Sequence, residues 1–140
     1  MAITLTSRKA ARKQLAALLA EIPALVAAYD HQTKALGGRS PVAMVHSDGT
    51  RGQYMGYADE RHRFVVTILW RRDDAAATED YVDDLEAAIR QKLLDSSAVA
   101  GVWNGLEIDE EFSSLDYPII ENVQYRRTWL RVTAQVISAS

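Results

Sequence analysis

The chain has 140 residues with 16 basic and 19 acidic side chains, a formal net charge of −3, so a single domain with a real core is expected over residues 1–140, and the overall charge gives no ground for sequence-specific nucleic-acid binding. It contains no cysteine, which excludes a disulfide framework, thiol catalysis and cysteine-rich zinc sites. The first residues, MAITLTSRKAARKQL, lack the apolar core of a secretory signal, and no apolar run approaches the roughly 20 residues that span a bilayer. A soluble chain made in the cytoplasm, with no membrane partner, is the expectation.

Ser7 is placed to cap a first helix, in which Ala11, Leu15, Leu18 and Ile22 recur at helical spacing and Pro23 marks the end. Arg8, Lys9, Arg12 and Lys13 cluster early in that helix, where the dipole mildly disfavours cations. Ala24 to Tyr29 reads as a first strand, followed by a loop punctuated by Gly37, Gly38 and Pro41, and Val42 to His46 as a second short strand. Ser47-Asp48-Gly49-Thr50 has turn chemistry, and the polar stretch Arg51 to Arg63 reads as an extended hairpin arm or a mobile loop.

Arg63 to Arg72 (RFVVTILWRR) is the strongest strand. Phe64, Val66, Ile68 and Trp70 fall on one face and Val65, Thr67 and Leu69 on the other, so it is expected to be central and covered on both sides. After the turn DDAAA, Thr78 caps a second helix reaching about Leu94, with Tyr81 or Val82, Leu85, Ile89 and Leu93 as its buried stripe. Asn104-Gly105, between Val102-Trp103 and Leu106 to Ile108, is the preferred pair for a tight hairpin turn. The segment Glu107 to Glu121 then carries six carboxylates and no base.

The last stretch, Tyr125 to Ile137 (YRRTWLRVTAQVI), reads as one strand of roughly 40 Å with two unlike faces. Leu130, Val132, Ala134 and Val136 lie on one; Arg127, Trp129, Arg131, Thr133 and Gln135 lie on the other. Strands clustered between two helices imply an α+β fold: a mainly antiparallel sheet of about four to five strands, with both helices packed on one face.

No enzyme signature emerges, and no cofactor or metal is expected. His46, Ser47 and Asp48 have the residue types of a hydrolytic triad, but neighbours in sequence cannot converge as triad members do. His31, His46 and His62 lack metal-ligand spacing, and Gly37-Gly38-Arg39-Ser40 lacks both the spacing and the lysine of a phosphate-binding loop. The uneven charge layout remains. A basic first helix, basic side chains on the last strand and an acidic segment between them either neutralise one another within one chain or meet across a head-to-tail contact between copies.

Several segments together resemble the tail terminator (tail completion) proteins of long-tailed bacteriophages. The likeness lies in the first helix leading into IPALVAAYD, the stretch GGRSPVAMVHSDG, the strand RFVVTILWRR, the acid-led helix TEDYVDDLEAAIRQKLL and the closing YRRTWLRVTAQV. It spans nearly the whole chain, in element order and local flavour rather than in a strict motif. It implies a non-catalytic virion protein, located in the tail or neck, with an α+β fold. Such a protein forms a hexameric ring at the head-proximal end of the tail tube, stops tube growth and offers a docking surface for the head connector. Its partners would be the tail tube protein, the connector protein and its own copies, with genome DNA passing through the lumen. A neighbouring neck, connector or tail-tube component is the alternative. The residues expected at a subunit or tube contact are Arg127, Trp129 and Arg131, with Asp109, Glu110 and Glu111 opposite them. Arg51, Tyr54 and Tyr57 are expected to reach the tube or connector.

Overall fold

The computed structural model describes residues 6–72 and 79–139, without the side chains of Thr6, residues 110–115 and Ala139. Its elements in chain order are α1 (Thr6–Ala20), β1 (Ala27–Tyr29), β2 (Val42–Tyr54), β3 (Tyr57–Arg71), α2 (Glu79–Asp95), β4 (Gly105–Asp116), β5 (Ile119–Ile120) and β6 (Val123–Ala139). The fold is α+β. The sheet runs β1-β2-β3-β6-β4 with β5 hydrogen-bonded to β6, and every pairing is antiparallel except β1 with β2. No helix among the described residues is long and apolar enough to cross a membrane.

Period-two alternation decides which side chains enter the main core. Phe64, Val66, Ile68 and Trp70 of β3, Ala43 and Val45 of β2, and Leu130, Val132 and Ala134 of β6 pack against both helices. From α1 come Ala11, Leu15, Leu18 and Leu19, and from α2 Val82, Leu85, Ile89 and Leu93, each set recurring at helical spacing. Val82, not Tyr81, fills the stripe of α2; Tyr81 is exposed. The opposite sheet face has a smaller core at one end only, where Leu36, Val42, Met44, Leu69 and Tyr125 are closed over by the chain's own loop and the β5 region.

Four local expectations change. Ser47 to Thr50 is not a turn: β2 runs on through a bulge, and β2 and β3 form a hairpin whose register reaches Tyr54 opposite Ala58. The bulge needs Gly49, which has φ +104° and lies against the Arg63 guanidinium. Asn104-Gly105 is not a hairpin turn either. The reversal lies four residues earlier, at Gly101 (φ 78°), closed by the Val99–Trp103 bridge. Asn104 instead joins β4 to β6, its N–H donating to the Gln135 carbonyl and its Oδ1 accepting from the Ile137 N–H. Ser7 lies inside α1 rather than before it, and its hydroxyl points to the sheet. The first strand is shorter than expected, starting at Ala27 rather than Ala24. Thr78 and the DDAAA turn lie outside the described residues.

Candidate interaction surface

The sheet face away from the helices carries the chemistry, because the odd-numbered positions of β3 and β6 all point there. In register across it lie Val42–Leu69–Arg127–Asp116, then Met44–Thr67–Trp129–Ser113, then His46–Val65–Arg131–Glu110. Further along come Arg63–Thr133–Glu107 and Arg51–Arg61–Gln135–Gly105. The face thus passes from the small apolar core, through a half-buried Trp129, to a charged region near the hairpin arm.

Each residue singled out from the sequence has a definite place. Arg127 holds Asp116 through two hydrogen bonds and lies 6.0 Å from the Trp129 ring, so it joins β6 to β4 and stacks on the indole. Arg131 donates to Asp48 at 2.9 Å, bringing the β2 bulge to the last strand. Asp109 accepts from the Thr133 hydroxyl. Glu110 pairs with Arg131 through the backbone register, while the side chains of Glu110 and Glu111 lie outside those described. Arg51 is exposed on the arm, and Tyr54 and Tyr57 flank its turn, with Met55 81% exposed between them.

Two features escaped the sequence reading. The first is a cluster of arginines. Arg51 and Arg61 stand directly opposite each other on β2 and β3, with Arg63 two residues further along the same face. Like charges directly opposed across strands are destabilising by some tenths of a kcal/mol to about 1 kcal/mol. Arg127 and Arg131 have carboxylates of their own chain; among the described residues Arg51, Arg61 and Arg63 have none. They line a concave surface of about 280 Å³ together with Asp48, Glu107, Asp109 and Thr133. Period-two continuation of RFVVTILW back through ADERHR was the signal that would have found them.

The second lies on the opposite face of the same arm. Glu60 (3% exposed) and His62 (0%) are buried beneath the start of α1. The Ser7 hydroxyl donates to Glu60 Oε1 at 3.0 Å and lies 3.0 Å from His62 Nε2, so that nitrogen carries the proton shared with Ser7. His62 Nδ1 then accepts from the Thr50 hydroxyl at 3.0 Å, and Tyr54 donates to Glu60 Oε2 at 3.2 Å. Burial is the main cause that pushes His62 below its usual value, against the opposing effect of Glu60. Gly52 makes room for this network, since a Cβ there would collide with the Tyr54 ring. The network therefore pins the N-terminal turn of α1 to the arm. Ser7 and His62 are not arranged as a nucleophile and base in a cleft; they bridge a helix and a sheet. Among the described residues no group of three or more His, Asp or Glu is placed to hold a metal ion.

No protein-family model and no curated protein matches the chain. Among solved structures, the chain is similar to one in the virion of a native gene transfer agent particle. The two share 22% identity over 93% of this chain and 94% of the other, with a TM-score of 0.50. At that identity the likeness establishes a shared fold.

Proposed function

We propose that this chain is a non-catalytic structural protein of a tailed, phage-like virion, acting through residues 1–140 as one domain. In this reading it forms a ring, hexameric in the expected form, at the head-proximal end of the tail tube. The ring ends tube polymerisation and presents a docking surface to the head connector, and genome DNA passes through its lumen. The fold shared with a chain from a gene transfer agent virion supports placement in a virion. The observation that carries the assembly role is the open sheet face, where Trp129 is only partly covered and Arg51, Arg61 and Arg63, without ion-pair partners among the described residues, crowd the arm. A self-sufficient monomer gains nothing from such a face, whereas a subunit contact uses both features.

Within that role Arg127, Trp129 and Arg131 lie at a subunit or tube contact, with Asp109, Glu110 and Glu111 as partners across it. The arm bearing Arg51, Tyr54 and Tyr57 reaches the tube or connector. The four-residue tip favours this, since Tyr54, Met55 and Tyr57 are all at least half exposed. Removing the chain from its parent particle tests the role: tails of uncontrolled length, or tails unable to join heads, are expected, and normal joined tails would contradict it. A second reading, another neck, connector or tail-tube component, fits the same shared fold. A tube subunit separates from a terminator by polymerising alone into long tubes.

A further inference from the structure

We infer that successive copies join head to tail, the Arg51, Arg61 and Arg63 face of the arm on one copy seating against the Glu107–Asp109 stretch of β4 on the next. This rests on the ring reading above and names its contact.

Topology puts the two surfaces at opposite edges of the sheet, where they border one concave face from either side. The sheet order β1-β2-β3-β6-β4 leaves β4 at one edge, while at the other β1 covers β2 only from Val42 to Met44. Beyond Met44 the outer edge of β2 has no described strand beside it, and β4 is paired on one side only. Long open edges invite pairing with another chain unless they are blocked or used. A surface on one side that matches a different surface on the other generates repeating contacts that close into a ring when the rotation fits.

Charge sets which surfaces match. Among the described residues Arg51, Arg61, Arg63 and Glu107 form no ion pair, although all four line the same concave surface. Asp109 accepts from the Thr133 hydroxyl and, among the described residues, has no cation at ion-pair distance. Arg51 directly opposite Arg61 raises the energy of the isolated subunit, and carboxylates of a neighbouring copy relieve that repulsion at closer range than the chain's own Glu107 and Asp109, which stand about three strand spacings from Arg51. A nucleic-acid occupant fits less well. Asp48, Asp59, Glu107 and Asp109 border the arginines, so a continuous polyanion would lie on carboxylates as well as on guanidiniums. A short row of carboxylates on a neighbouring strand need cover only the arginines, whereas a polymer must run on across the bordering acids.

The test is a charge swap read by native mass spectrometry. R51E/R61E has an acidic arm and an acidic edge; E107R/D109R has a basic arm and a basic edge. Each alone is expected to lose the ring species that the wild type forms. Their equimolar mixture is expected to restore it with the two variants alternating, because every arm then faces an edge of opposite sign. Circular dichroism checks that each variant is folded. If E107R/D109R is not, E107Q/D109N replaces it and is expected to reduce ring formation by itself. Rings from either reversed variant alone, or folded variants that fail to recover rings on mixing, overturn this contact while leaving the ring reading intact. A wild-type chain that stays monomeric at high concentration overturns both. Salt-sensitive binding of duplex DNA that R51E/R61E abolishes while rings persist would assign the arginines to nucleic acid instead.

Discussion

The two faces of the sheet differ in what they ask of the sequence. The helix-covered face is uniformly apolar along β3 and β6 from Phe64 to Trp70 and from Leu130 to Ala134, and every one of those even-numbered side chains that is apolar is buried. The opposite face is a gradient: a small closed core around Leu69 and Tyr125, a half-covered Trp129, then arginines. One face is satisfied by its own chain; the other is closed over by the loop from Leu36 and the β5 region at one end, with Thr67, Val65 and Thr133 still buried further along it and Trp129 only partly covered. The difference separates stability from assembly on a single pair of strands.

Mutating the two faces at matched positions should break or sharpen that separation. Phe64→Ala empties a fully buried site beneath the helices and should cost about 3–5 kcal/mol in urea unfolding. Trp129→Ala removes a larger but partly exposed side chain and should cost the monomer about 1–2 kcal/mol while weakening assembly disproportionately. An equal loss at both positions would mean that the open face is core after all. Leu69→Ala tests the closed end of that face and should cost about 2–4 kcal/mol, since Leu69 is fully buried against Leu36 and Tyr125.

The alternation that defines these faces is legible in RFVVTILWRR and TWLRVTAQV, because side chains of opposite chemistry recur at a period no helix can match. So are the stripes of α1 and α2. The shared core needed no tertiary information beyond those periods. The arm was legible only in part. Its polar residues suit both a loop and a strand with two wet faces, and Asp48-Gly49 carries turn chemistry whether the chain reverses or bulges. Asn104-Gly105 failed for a related reason: β6 captures Asn104 by hydrogen bonds on both sides, and Gly101 takes the left-handed position instead. The Ser7–His62–Glu60 network joins residues more than 50 positions apart, which no local pattern announces.

That network gives the next prediction, a comparison within the arm itself. Folded His62 binds a proton less readily than unfolded histidine, whose pKa is about 6.5. Below that pH the unfolded chain takes up protons that the folded chain does not, so the stability contributed by neutral His62 is complete above pH 6.5 and declines as pH falls. Burial shifts His46 in the same direction, so it adds to the decline. Thermal unfolding between pH 7.5 and 5.5 should therefore show a falling Tm. The slope should be shallower in His62→Gln, and an unchanged slope would remove His62 as a source of it.

The smallest effect is expected at the paired arginine. A double-mutant cycle on Arg127→Ala and Asp116→Ala should return a coupling of no more than about 1 kcal/mol, because both side chains remain substantially exposed. A much larger coupling would place this pair with the core rather than with the surface prepared for a partner.

The absence of cysteine makes the proposed head-to-tail contact directly accessible. Within one chain the Arg51 and Glu107 positions are separated by β3 and β6, about 14 Å across the sheet, too far for a disulfide. Oxidation of R51C/E107C should therefore give a ladder of covalent oligomers ending at the ring number, while each single-cysteine variant gives no ladder. A double variant that stays uncrosslinked while its rings persist in native mass spectrometry, or single variants that crosslink as symmetric dimers, would contradict the head-to-tail contact.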